Sequence, residues 1–172
     1  HPLLYGLVVL ASLVQTAGWV FFIKLLLSHT SYLKENFLKT SGWILKLSVL
    51  ACSIKIILQL FSVIPFLSKL AFGFRPIVIG YLHLVLLGVI TLFLLGYLVS
   101  SQIIKTDQKT FLGIGIFVGG IFLNELLLMI QGVAAISSIM IPYLNEFLLL
   151  AAGVLFTGLL VVNLSLKKGM AT

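Results

Sequence analysis

The 172-residue chain is 61% hydrophobic, carries charge on only 9% of its residues and has a formal net charge of +7. A soluble domain is about one-quarter charged, so this chain has too little polar surface to cover a water-soluble globule. The composition therefore excludes a soluble enzyme and a disordered chain, and it predicts an all-α, polytopic membrane protein. The single cysteine, Cys52, excludes an intrachain disulfide and a cysteine-based zinc site.

Five apolar segments are long enough to cross the hydrocarbon core as helices, which takes about 20 residues each. They are continuously apolar, whereas the strands of a membrane barrel alternate between apolar and polar residues. Pro65 follows the second segment, Pro76 precedes the third and Pro142 precedes the fifth. We therefore predict a single transmembrane bundle with helices over residues 3–27, 42–64, 77–99, 110–131 and 143–166.

Basic residues are distributed unevenly between the two sides of this predicted bundle. The positive-inside rule assigns the loops that are richer in lysine and arginine to the cytoplasm. Only Lys69 and Arg75 lie on the other side. The rule predicts an N-terminus outside and a C-terminus in the cytoplasm. The residues then on the cytoplasmic side are Lys24, Lys34, Lys39, Lys46, Lys105, Lys109, Lys167 and Lys168.

The chain begins with His1 and Pro2, without a basic stretch before its first helix. An outward-facing start without its own targeting signal indicates that helices precede it, so we expect the C-terminal part of a longer multi-pass protein. The alternative is a complete five-helix protein whose first residue was removed. The expected partners are the lipid bilayer and the missing helices or other membrane subunits. Nucleic acid is not expected, because no basic run exceeds two residues.

Polar residues follow one face of the second predicted helix. Ser48, Cys52, Lys55, Gln59 and Ser62 are spaced by three or four residues, which places them on the same side of a helix. An ionised side chain at the bilayer centre costs about 2.5–3.5 kcal/mol, so Lys55 requires a specific role. This row either lines a site or proton path, or joins helices through hydrogen bonds.

Further polar residues occur in the last two predicted helices, where Asn124 and Glu125 lie deep and Glu146 lies near the outer boundary. Glu146 also has the simpler role of extending to the membrane surface. We predict that the polar residues of the outer half converge on one pocket, in which Glu125 pairs with Lys55 or with Arg75. The predicted polar or proton-path residues are Lys55, Gln59, Asn124, Glu125 and Glu146.

The third predicted helix contains His83, about a turn and a half from its outer end. A neutral imidazole inside a membrane can bind haem iron or another transition metal, and it can relay protons. A packing or hydrogen-bonding role is the simpler alternative. We predict His83 as a metal or haem ligand, with Tyr81 as a second cofactor contact. No catalytic residue is identified.

Glycines in the last two predicted helices indicate close helix packing. Gly115 and Gly119 form a small-xxx-small pair, with Gly113 and Gly120 alongside. Such residues let two backbones approach each other in a membrane. Gly153 and Gly158 permit the same approach in the fifth helix.

Two stretches, Lys55–Pro65 (KIILQLFSVIP) and Ile79–Gly88 (IGYLHLVLLG), carry a family resemblance. They resemble an uncharacterised family of bacterial multi-pass membrane proteins, distantly similar to haem–copper oxidase catalytic subunits and to nitric-oxide-response haem membrane proteins. The resemblance implies a longer parent protein in a bacterial cytoplasmic membrane. Those oxidases use several intramembrane histidines, so only His83 carries over as an axial or metal ligand.

Three functions follow as expectations. The first is a redox-type membrane protein with a haem or metal site in the outer half of the bilayer. The second is a proton- or ion-coupled transporter module, in which Lys55 and Glu125 bind ions or move protons. The third is a non-catalytic structural subunit of a membrane complex, in which the polar residues join helices.

Overall fold

The computed structural model describes residues 2–30, 39–104 and 107–170, and this described part contains helices without strands. All helices except the short α3 are long and apolar enough to cross a membrane. The predicted all-α fold with five spanning helices is therefore confirmed. The helices are α1 (Pro2–Ser28), α2 (Lys39–Phe61), α3 (Pro65–Gly73), α4 (Arg75–Ser100), α5 (Gln108–Ile136) and α6 (Leu144–Met170).

The helix ends differ from the predicted ones by one to five residues, and two of these differences have a clear structural reason. Helix α2 ends at Phe61 rather than residue 64, because residues 62–64 form a turn before Pro65 opens α3. Helix α5 continues to Ile136 rather than residue 131. Gly132 does not stop this helix; it lies buried, and a Cβ built on it would approach Ile77 of α4 to 3.2 Å. Its small size serves packing instead of helix termination.

The spanning helices pack as an open row in the order α1, α2, α4, α5, α6, with neighbouring helices antiparallel. Helix α4 is central: its first third packs on α5, and its remaining part packs on α2. We call the half of the bundle in which α2 and α5 begin the lower half, and the half in which they end the upper half. The short helix α3 lies at the upper end and packs on the start of α4.

The buried apolar core occupies the lower half. Ile44 of α2, Leu95 and Val99 of α4, and Ile114 and Phe117 of α5 belong to the same buried cluster. Lipid is as apolar as these side chains, so their close packing, rather than removal from water, holds the helices together. The upper half lacks an equivalent cluster among the described residues, and polar side chains concentrate there instead.

The tightest contact in the row joins α5 to α6. A Cβ built on Gly158 would lie 2.5 Å from the backbone nitrogen of Phe117. Gly113 and Gly120 face α6 in the same way, as predicted. A Cβ on Gly115, by contrast, meets nothing within 4 Å, and the same holds for Gly119 and Gly153. On α5 the contact therefore uses Gly113 and Gly120, which are seven residues apart. The predicted small-xxx-small pair, Gly115 and Gly119, does not take part in it.

Helix α4 changes its geometry midway, because Leu84–Thr91 forms a π-helix. Such segments are rare and are frequent at functional sites. The Thr91 hydroxyl donates to the carbonyl of Leu86, and the Ser48 hydroxyl of α2 donates to the carbonyl of Val89 at 2.9 Å. The wider turn coincides with the change of partner along α4, from α5 before it to α2 within and after it.

At the lower end of the bundle, the Asp107 carboxylate caps α5 and connects it to α6. Its Oδ1 accepts from the backbone N–H of Thr110 at 2.7 Å and from the Ser165 hydroxyl at 2.9 Å. Hydrogen bonding by the Thr110 side chain, and then by its backbone N–H and by Ser165, lowers the pKa of Asp107. These bonds favour the charged carboxylate, which also suits the positive end of the helix dipole.

We expect the free energy of unfolding to decrease as the pH falls through the lowered pKa of Asp107, because protonation removes a charge that the folded state stabilises. Above the unfolded-state pKa of about 3.9, this contribution is fully present. Asp107→Asn retains a capping side chain but cannot titrate. Its stability should therefore change less than that of the wild type between about pH 6 and pH 3. Thermal unfolding in detergent measures this; an identical pH dependence in both proteins contradicts the expectation.

Candidate functional site

His83 of α4 lies opposite Glu125 of α5. The register of the two antiparallel helices follows from two contacts nearer the upper end: Gly132 faces Ile77, and Gly80 faces Leu128. Continuing this register by one turn pairs His83 with Glu125. The carboxyl group of Glu125 interacts electrostatically with the imidazole of His83, which agrees with this placement.

Polar side chains of α1 and α2 lie at the same level. The contacts of Ser48 with Val89 and of Gly88 with Ala51 fix the register between α2 and α4. Continued upward, this register puts Lys55 within about one turn of the level of His83. Helix α6 brings the apolar Ala151 to this level. We call the resulting set the polar layer: Gln15, Lys55, Gln59, His83, Asn124 and Glu125.

The α1–α2 part of the polar layer is a hydrogen-bonded chain. The Lys55 ammonium donates to Oε1 of Gln59 at 2.6 Å, and Nε2 of Gln59 donates to Oε1 of Gln15 at 2.8 Å. One turn lower, the indole N–H of Trp19 donates to the hydroxyl of Ser53 at 3.1 Å. These bonds connect α1 to α2 through side chains, as interhelical polar groups do in membranes.

The α4–α5 part contains polar atoms without partners. Oε1 of Glu125 and Nδ2 of Asn124 are buried and form no hydrogen bond of good geometry among the described residues, although the Asn124 side chain lies beside the Glu125 carboxyl group. Nδ1 of His83 lies 2.9 Å from the carbonyl oxygen of Ile79, one turn earlier in the same helix. An unpaired buried carboxyl oxygen is costly, so its retention points to a role beyond packing.

The predicted pairing of Glu125 with Lys55 or Arg75 is wrong for the described part of the chain. No carboxylate there lies within 4.0 Å of either basic group. Helix α4 stands between α2 and α5, so it separates the Lys55 ammonium from the Glu125 carboxylate. The layer thus consists of two clusters, one on each side of α4, rather than one shared pocket.

Glu146 lies above the polar layer. Together with Gln131 and Asn145 it lines an open groove of about 400 Å³ at the upper end of the bundle, beside Pro76 and Tyr143. The Glu146 side chain is exposed there. This position agrees with the simpler role, in which the carboxylate extends toward the membrane surface.

The two predicted cofactor contacts face different helices. Tyr81 lies near Cys52 of α2, whereas His83 faces α5. Residues two apart on a helix do not share a face. No group of three or more histidine, cysteine, aspartate or glutamate side chains that could hold a metal ion occurs in the described residues. His83 and Glu125 together supply two donor side chains.

Two features of the site were not predicted from the sequence. Gln15 is the first: it lies mid-way along α1, and its position inside an apolar helix was a signal comparable to that of Gln59. The π-helix after His83 is the second, and residues 84–91 contain no glycine or proline pattern specific to it.

Comparison with protein-family models, with curated proteins and with solved structures found no match.

Proposed function

We propose that this integral multi-pass membrane protein moves protons or small cations, and that the His83–Glu125 pair is the group that binds them. The buried oxygen Oε1 of Glu125, without a hydrogen-bond partner and opposite an imidazole, is the observation that supports the proposal. Ionisable side chains are rare in membrane helices, and those that occur there commonly mark ion paths and proton relays.

The chemistry of this pair suits proton exchange. A protonated Glu125 beside a neutral His83 and an ionised Glu125 beside a protonated His83 have the same net charge, so a proton can shift within the pair without changing that charge. Uptake of a second proton makes the pair cationic, and loss of the shared proton makes it anionic. Asn124, whose side chain lies beside the Glu125 carboxyl group, can donate to the anionic form.

Proton flux into liposomes that contain the purified protein tests the proposal. Under an imposed potassium diffusion potential, we expect Glu125→Gln to reduce flux at least tenfold, because glutamine is similar in shape but cannot titrate. Glu146→Gln is the matched control, since Glu146 lies in the exposed groove above the layer, and its flux should remain that of the wild type. Equal flux in all three proteins, or none in the wild type, contradicts the proposal.

A haem or metal ligand at His83 is the second candidate. The bond from Nδ1 to the Ile79 carbonyl leaves Nε2 free, and ligating histidines commonly use this arrangement. It is also the function that the resemblance to haem-containing membrane proteins implies. The fit is incomplete: a Cβ built on Gly80 would lie 3.6 Å from the Cβ of Leu128, so α4 and α5 approach each other beside His83 and leave no slot for a planar macrocycle between them. A Soret band that His83→Ala removes supports this candidate.

We propose a bacterial cytoplasmic membrane as the location, with the lower half of the bundle toward the cytoplasm. Lys39, Lys46 and Lys109 lie at the lower ends of their helices, whereas Lys69 and Arg75 lie at the upper end. This distribution supports the orientation through the positive-inside rule. Lys34 and Lys105 are outside the described residues, as are the side chains of Lys167 and Lys168.

A further inference from the structure

The first and second helices form a free edge of the bundle. Helix α1 ends the row and packs on α2 through residues spaced by three and four, with Ser12, Thr16 and Trp19 at its middle. Most other side chains of α1 are exposed, including that of Gln15. We call the surface formed by Gln15, Lys55 and Gln59 the α1–α2 edge.

The hydrogen bonds along this edge leave five N–H groups unused, against one further lone pair on each glutamine side-chain oxygen. The Lys55 ammonium donates one of its three N–H groups to Gln59, and the Gln59 amide donates one of its two N–H groups to Gln15. The side-chain carbonyl oxygens of both glutamines already accept a bond. The N–H groups of Gln15 have no acceptor among the described residues. The complement to such a surface is a group that only accepts hydrogen bonds and carries negative charge.

The rest of the described chain does not supply that group. The Glu125 carboxylate lies beyond α4, and those of Asp107 and Glu146 lie near helix ends. Lipid phosphate is a poor source as well, since Lys55 lies six residues, or about 9 Å, below the end of α2. An ionised aspartate or glutamate on a neighbouring transmembrane helix matches both the depth and the hydrogen-bonding character of the edge.

We propose that the α1–α2 edge binds a partner transmembrane helix that carries one carboxylate about 9 Å below the upper end of α2. The carboxylate accepts from Lys55 and Gln15, which balances the charge of the Lys55 ammonium. The proposal is independent of proton movement at His83 and Glu125, because α4 separates the two clusters.

Resonance energy transfer in lipid vesicles between the labelled protein and a designed poly-leucine helix tests this inference. The helix carries glutamate, leucine or lysine about six residues from the end that lies at the upper surface. We expect the glutamate helix to bind about tenfold more tightly than the leucine helix, as intramembrane polar contacts allow. The lysine helix should bind no better than the leucine helix, since like charges repel.

Variants of the protein identify the contact. Lys55→Met should abolish the preference for the glutamate helix, whereas Lys46→Met, an exposed lysine in the same helix, should retain it. Glu125→Gln should also retain it, so this result stays distinct from the flux experiment. Equal binding of the three helices to the wild type, or an unchanged preference in Lys55→Met, overturns the proposal.

Discussion

Replacing Gly158 with alanine is expected to destabilise the protein by about 2–4 kcal/mol. The new Cβ would lie 2.5 Å from the nitrogen and 2.7 Å from the Cα of Phe117, closer than any real contact. Both atoms belong to the α5 backbone, so a side-chain rotation cannot relieve the clash. Helices α5 and α6 must move apart, and the other glycine contacts at Gly113 and Gly120 then loosen.

Gly153→Ala is the matched control in the same helix. Its Cβ meets nothing within 4 Å, and alanine favours a helix over glycine by up to about 1 kcal/mol. The two substitutions should therefore change stability in opposite directions. Equilibrium unfolding in mixed detergent micelles, followed by circular dichroism, measures both. Two changes of the same sign and size would show that α5 and α6 do not pack through Gly158.

A double-mutant cycle on Glu125 and His83 is expected to give a coupling free energy of about 1–3 kcal/mol. Glu125→Leu leaves the imidazole without its charged neighbour, and His83→Leu leaves a buried carboxyl group alone. The double variant removes both polar groups, so it should be more stable than the sum of the single losses indicates.

The same cycle with Lys55 in place of His83 is the control. Lys55 bonds to Gln59 on the other side of α4, so the losses for Lys55→Leu and Glu125→Leu should add within about 0.5 kcal/mol. Unfolding in the same micelles provides all the values. Additive losses for the His83 pair, or coupling for the Lys55 pair, contradict the arrangement of two separate clusters.

The number of spanning helices and their positions along the chain follow from the sequence, because each requires only a long apolar segment between punctuating residues. Proline marks an end by a local rule, so Pro65 and Pro76 locate α3 and the start of α4 well. Gly132 shows where local rules fail. A glycine that ends one helix and a glycine that admits a neighbouring helix look alike in sequence, and only the contact with Ile77 distinguishes them.

The depth of the polar residues could be inferred from the sequence, but their partners could not. Depth depends on distance from a helix end, whereas pairing depends on which helices are neighbours. The row order places α4 between Lys55 and Glu125, and no pattern within α2 or α5 encodes that order. The π-helix adds a further difficulty, because it changes the face that α4 presents below His83.

An open row of helices differs from a closed ring in how it tolerates the addition or loss of a helix. Each terminal helix is held by one neighbour alone, α1 by α2 and α6 by α5. A helix at either end can therefore detach, or acquire a newcomer beside it, without disturbing the interfaces further along. The interfaces among α2, α4 and α5 do not depend on what packs against the outer faces of α1 and α6.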